Sequence, residues 1–158
     1  MERILKNFER AYFMKQAIHE DIAKNADAMN RADYSCSESI LQAVGKYFLG
    51  ELDPQLVKTA SAFSGGIGNT SEELCGCLSG GLMVIGSLYG RLDLQGDDKH
   101  VEFYARKYRE LFINEFGAIK CAQVKAINGN PAIPRSCEKI VERSALVLLR
   151  FLEPEKAE

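Results

Sequence analysis

Apolar residues recur at helical spacing along nearly the whole chain. Ile4, Phe8, Ala11, Tyr12, Ile18, Ile22, Ala26 and Met29 form a stripe that predicts one long helix or two abutting helices. Ser35 and Glu38 have the spacing of a capping box, and Ile40, Leu41, Val44, Tyr47 and Phe48 follow as one apolar face that ends at Gly50. Asp53-Pro54 reads as a cap with proline at the first helical position, opening a short helix to about Ala62. Ser64-Gly65-Gly66-Ile67-Gly68-Asn69 must be an irregular loop. Thr70 and Glu73 have the spacing of a second capping box, ahead of a helix that runs to Leu88 or Tyr89. Gly90 to Asp97 is a polar turn region. Val101, Tyr104, Ala105, Tyr108, Phe112 and Phe116 make a strongly amphipathic helix that stops at Gly117. Cys121 opens a short piece through Ile127, and Asn128-Gly129-Asn130-Pro131 is a turn. The last helix carries Cys137, Ile140, Val141, Ser144, Leu148 and Phe151 on one face.

No stretch alternates with period two, so the expected class is all-α: a single compact bundle of about six helices. Residues 1–33 read as an N-terminal helical extension packed on the core, 34–152 as the main helical domain, and 153–158 as a frayed tail. A chain of 158 residues suits one domain with a full-sized core. Twenty basic against 22 acidic side chains leave a net charge of −2. That balance, without any basic cluster, excludes a nucleic-acid footprint. Charges scattered through the first eight residues break the uninterrupted apolar core of a signal peptide, so none is expected. The longest nearly uncharged run, Leu74 to Gly90, is too short and Gly-rich for a membrane span. The expected location is therefore the cytoplasm, where thiols stay mostly reduced.

That location matters because the chemistry of this chain lies in its five cysteines. Cys36, Cys75, Cys121 and Cys137 each fall at or near the start of a predicted helix. Cys36 and Cys137 share a face with the buried stripe that follows, so their thiols should point into the bundle. An odd number does not close a disulfide framework. Free cysteine is often only a small buried hydrophobe, but a convergent set does redox chemistry or holds a soft metal. Cys77 follows Cys75 by two residues, and on a regular helix such neighbours differ by about 200° in direction. One of the two then belongs to the site and the other to packing, unless the first turn is unwound.

Gly76, Gly80, Gly81 and Gly86 each cost roughly 1 kcal/mol inside a helix relative to alanine. Close approach of another helix, or room for a bulky centre, would offset that. Gly65, Gly66 and Gly68 let backbone N–H groups turn inward, and such a nest beside a helix N-terminus favours a thiolate or a sulfide cluster. The loop is no Walker-type phosphate loop and follows no predicted strand. His19 stands beside Glu20 and Asp21 and reads as solvated, as does His100. Asp97-Asp98 and Glu72-Glu73 read as charges at helix N-termini rather than as paired catalytic carboxylates.

Tyr34-Ser35-Cys36-Ser37-Glu38, Gly65-Gly66-Ile67-Gly68, the run from Cys75 to Gly86, Phe116 to Cys121, and Cys137 together resemble the prokaryotic C_GCAxxG_C_C family of small redox-active proteins with four characteristic cysteines. The resemblance spans about Tyr34 to Leu152. Set on this sequence as Cys-Gly-Ala-x-x-Gly, the motif falls on Cys75-Gly76-Cys77-Leu78-Ser79-Gly80, with Cys77 in the alanine position. The family cysteines are then Cys36, Cys75, Cys121 and Cys137, with Cys77 as a further or alternative ligand.

Three functions follow as expectations. In the first, Cys36, Cys75, Cys121 and Cys137 hold an iron–sulfur cluster or zinc, with Gly65, Gly66, Gly68 and Gly76 around it, for electron transfer to an unnamed redox partner. In the second, the same thiols work without metal, Cys75 attacking and another cysteine resolving. In the third, the chain is a non-catalytic helical interaction module. Pairing as a homodimer suits any of the three.

Overall fold

The computed structural model describes residues 2–129, 137 and 139–153. Seven α-helices and one 3-10 turn are present among the described residues: α1 (Glu2–Arg31), α2 (Cys36–Leu49), α3 (Pro54–Ala60), the turn Ser61–Phe63, α4 (Gly76–Tyr89), α5 (Lys99–Phe116), α6 (Cys121–Asn128) and α7 (Ile140–Leu152). The bundle thus has one helix more than the pattern predicts, and the first stripe is a single helix of 30 residues. Asn130, Pro131 and the tail from Pro154 lie outside the described residues.

Helix α2 is the centre. It begins where predicted: Ser35 Oγ accepts from the Glu38 N–H at 3.3 Å, and Glu38 Oε2 accepts from the Ser35 N–H at 2.8 Å. A cap of this kind is worth about 1 kcal/mol. Helices α1, α3, α4 and α7 all pack against α2. It is therefore buried nearly all round rather than on one face, from Cys36 through Gly45 with only Glu38 partly exposed. Its buried hydroxyls satisfy themselves on carbonyls, Ser37 on Ala60 at 2.7 Å and Ser39 on Ser35 at 2.8 Å, because an unpaired buried donor is costly.

Two boundaries differ from the sequence pattern, and both bear on the cysteines. Thr70 and Glu73 cap no helix. The Thr70 hydroxyl turns back to donate to the Ile67 carbonyl at 3.1 Å. Residues 71–75 instead pair with 119–122: Cys75 N–H donates to Ile119 at 2.8 Å, Cys121 N–H to Glu73 at 2.8 Å and Ala122 N–H to Ser71 at 3.0 Å. These bonds occupy the backbone that a longer helix would need, so α4 starts only at Gly76, with Cys75 as its N-cap residue. Glu72 and Glu73 accordingly lie in a non-helical stretch rather than in a helix's first turn. Finally, α7 starts at Ile140 and not at Cys137, because Lys139 has φ +62° and interrupts the helical path.

Histidine 19 is also not where its neighbours suggest. It is buried at 1% exposure, with Nε2 3.1 Å from Glu153 Oε2. Glu153 also accepts from the Tyr47 hydroxyl at 2.7 Å. Glu20 and Asp21 point outward from the same helix, as side chains one and two residues away must. His100 is exposed.

Candidate thiol site

All five cysteines are free thiols. Each stands at the edge of an element: Cys36 is the first residue of α2, Cys75 the N-cap of α4, Cys77 its second residue, Cys121 the first of α6, and Cys137 three residues ahead of α7. Helices α2 and α4 cross closely enough to bring their N-termini together. Glycines make that crossing possible. A Cβ at Gly80 would stand 2.6 Å from the Ser37 carbonyl, and one at Gly81 would stand 2.5 Å from the Tyr108 ring. A Cβ at Gly76 would collide with Cys36 Sγ itself. Close approach therefore explains three of the four α4 glycines, whereas Gly86 faces open space.

The thiols meet in a line. Cys36 lies beside the thiols of Cys137 and Cys77, close enough for both to lower it, and Cys77 lies in turn beside Cys75. Cys77 lies in the middle and is completely buried, Cys36 and Cys75 are buried, and Cys137 is half-buried. The Cys137 carbonyl accepts from the Val141 N–H at 3.1 Å. Asp27 Oδ1 accepts from the Lys139 N–H at 3.1 Å, which ties Lys139, two residues after Cys137, to α1.

The electrostatics follow from this line. The two thiol donors, Cys137 first and Cys77 second, hold Cys36 well below the usual thiol range against the opposing effect of burial. Backbone N–H groups of Gly65 and Ser37 add to that stabilisation. The Cys77 thiol likewise lowers Cys75. Cys77 is pushed up because it serves both neighbours as donor and is buried. Cys137 is pushed up by its bond to Cys36 and by burial. A thiolate on Cys36, with protonated thiols on both sides, is the arrangement these contacts favour.

Cys121 stands apart. Its thiol meets the Ser71 hydroxyl and bonds to no other cysteine, and burial raises it. The loop Ser64 to Ser71 lies between it and Cys36. Gly65, Gly66, Ile67, Gly68 and Asn69 all have positive φ, between 57° and 76°. For a β-branched residue such as Ile67 that conformation is strained, by roughly 1–2 kcal/mol. The loop is held by Gly68 N–H to Ala62 at 3.0 Å and Ser71 N–H to Gly65 at 2.8 Å. The expected nest is thus formed in part. Gly65 gives an N–H to Cys36, and Gly66 leaves room for Cys121, whose Cβ would be 2.8 Å from an added Cβ. Nothing lies within 4 Å of a Cβ added at Gly68.

Cys75 and Cys77 do not face opposite ways as neighbours two apart on a regular helix would, because Cys75 has extended backbone (φ −56°, ψ 131°) and lies before the helix. Both thiols then reach the same line. Sequence reasoning missed the central place of Cys77 and the phenol beside it. Tyr108 is fully buried, with its hydroxyl 3.5 Å from the Cys77 carbonyl. Tyr108 on the apolar stripe of α5, with glycine at 81 to admit its ring, was the available signal. Among the described residues, no group of three or more His, Cys, Asp or Glu side chains is arranged to hold a metal ion. No helix among them is long and apolar enough to cross a membrane.

No curated protein and no solved structure matches the chain. One family does, over residues 34–151, under the description "Putative redox-active protein (C_GCAxxG_C_C)". Its lettered pattern places glycine before the second cysteine. Read by its letters, that block falls on Gly76-Cys77-Leu78-Ser79-Gly80-Gly81, with Leu78 in the alanine position, two residues on from the placement that starts at Cys75 with Cys77 as alanine. On that reading of the letters the four cysteines are Cys36, Cys77, Cys121 and Cys137, with Cys75 beside them. With that match covering most of its length, the chain belongs to the C_GCAxxG_C_C family.

Proposed function

We propose that the protein is a two-electron thiol–disulfide redox protein in which Cys36 is the attacking sulfur and Cys137 resolves. One observation carries this reading: the Cys36 sulfur, flanked by two thiol donors and two backbone N–H groups, touches the half-buried Cys137. A stabilised thiolate is the nucleophile in thiol–disulfide exchange. The Cys36 thiolate attacks one sulfur of a disulfide substrate, forming a mixed disulfide and releasing the substrate's other sulfur as a thiolate. Cys137 passes its proton to that leaving thiolate and attacks Cys36, releasing the second substrate thiolate, which takes a proton from water. The substrate gains two electrons, and Cys36 and Cys137 become a disulfide. The partner is a molecule bearing a disulfide or, in reverse, a dithiol. A reducing compartment such as the cytoplasm keeps the resting thiols free.

A second reading is favoured by the donor set. Cys36, Cys75, Cys77 and Cys137 are soft sulfur donors, and N–H groups directed at a sulfur raise the potential of a cluster. Because the thiols form a line and not a shell, an iron–sulfur cluster or zinc would need these four, or Cys121 in place of one of them, to close around it. A cluster would supply one-electron transfer; zinc would pin the helices. The test is metal and acid-labile sulfide analysis on protein purified without oxygen, followed by peptide mapping after mild oxidation. Metal-free protein with a Cys36–Cys137 disulfide supports the first reading. Stoichiometric iron with sulfide, or tightly bound zinc, supports the second. Metal-free protein whose Cys36 and Cys137 never pair would sink both and leave a helical interaction module.

A further inference from the structure

We infer that Cys75 and Cys77 form a second dithiol behind Cys36 and Cys137, so that one chain stores four electrons and passes a disulfide inward along the line Cys137, Cys36, Cys77, Cys75. This rests on the thiol–disulfide reading of the same site. Read by its letters, the family description assigns Cys137, Cys36 and Cys77 of this line and leaves Cys75 over. Without it, Cys77 would be a dead end: completely buried, with Cys36 as its single thiol neighbour in the line. With it, every adjacent pair in the line is in contact.

The local backbone suits the inner pair. A disulfide needs its two Cα atoms within about 7 Å, and residues two apart along a chain cannot be much farther than that. Their directions decide, and here Cys75 is extended rather than helical, which turns its thiol to the same side as Cys77. The residue between them is glycine, and its lack of a Cβ lets Cys36 Sγ lie directly against the Cys-Gly-Cys turn. The sulfur to be attacked is thus held against the turn and beside the Cys77 thiol.

The exchange balances without any outside reagent. Cys77 attacks Cys36 of the Cys36–Cys137 disulfide, forming Cys36–Cys77 and releasing Cys137 as a thiolate, which takes the proton that Cys77 gives up. Cys75 then attacks Cys77, forming Cys75–Cys77 and releasing Cys36, which takes the proton from Cys75. Two electrons move outward and no atom is gained or lost. Cys36 and Cys137 are a dithiol again and can reduce a second disulfide substrate. Cys121, engaged with Ser71, takes no part.

The experiment is an anaerobic titration of the full-length, fully reduced protein with diamide, quenched in acid, alkylated and mapped by mass spectrometry. The expected wild-type result is uptake of two equivalents, with Cys36–Cys137 and Cys75–Cys77 as the final bonds and Cys121 alkylated. Cys75→Ser keeps a good N-cap residue, and circular dichroism checks its fold. It should take up one equivalent, half the wild-type amount, shared between Cys36–Cys137 and an unresolved Cys36–Cys77 bond. Wild type that stops at Cys36–Cys137, with Cys75 and Cys77 both alkylated, overturns the inner pair and leaves the outer one standing. A second disulfide in wild type that joins Cys121 also overturns it. If Cys36 and Cys137 never pair, the underlying reading is what fails.

Discussion

Replacing Gly76 by alanine probes the contact on which the whole site depends. A Cβ there collides with Cys36 Sγ and stands 3.1 Å from the Phe63 carbonyl and 3.3 Å from the Ser37 nitrogen. The backbone atoms on two sides cannot yield, so the Cys36 side chain must rotate away or α4 must shift off α2. Overpacking of this kind costs about 1–3 kcal/mol. Alanine returns at most about 1 kcal/mol of helix propensity, less at a first-turn position. The net expectation is a loss of about 1–2 kcal/mol, which for a chain of this size lowers Tm by about 2–8 °C. Gly86→Ala in the same helix is the internal control, because nothing lies within 4 Å of its added Cβ. That variant should gain up to about 1 kcal/mol. Urea unfolding followed by circular dichroism, under reducing conditions without oxygen, measures both. The same samples report the chemistry: Gly76→Ala should lose the low-pH thiolate absorbance of Cys36, and Gly86→Ala should keep it. If the two variants shift in the same direction, the close seating of Cys36 against α4 is refuted.

Two further predictions follow from the same contacts. Thiolate absorbance should show Cys36 ionised well below the unperturbed thiol value of about 8.5, and Cys137→Ala should move that transition upward by removing the first of its two thiol donors. Because the folded value is the lower one, the stability this ionisation contributes is present above about pH 8.5 and is lost as pH falls through the folded Cys36 transition; a wild-type transition no lower than that of the unfolded chain would refute the account. Asp27→Asn removes a buried carboxylate that accepts from the Lys139 N–H and pairs with Arg31, so it should cost about 1.5–3 kcal/mol in chemical denaturation and slow closure of the Cys36–Cys137 disulfide, whereas an unchanged closure rate would show that α1 does not place Cys137.

What the sequence determined by itself is what local physics decides. The apolar stripes are helices because a 3.6-residue period buries one face whatever the partner. Ser35 with Glu38, Gly50 and Gly117 end or begin helices where predicted because caps and left-handed turns are made by residues within one turn of each other. The importance of the cysteines was also legible, since no other residue type here carries comparable chemistry. What only the tertiary structure decided is which thiols touch. The pairing of residues 71–75 with 119–122 draws Cys75 out of α4, and so overrides a capping box that satisfied every local rule. That one long-range pairing puts Cys75 and Cys77 on the same side and leaves Cys121 against Ser71. The burial of His19 likewise comes from α1 lying on α7, beyond the reach of its charged neighbours in sequence. A helix is specified by residues three and four apart, but a line of sulfurs drawn from three separate segments is set by how α2 and α4 cross and by where α1 anchors the residues beyond Cys137.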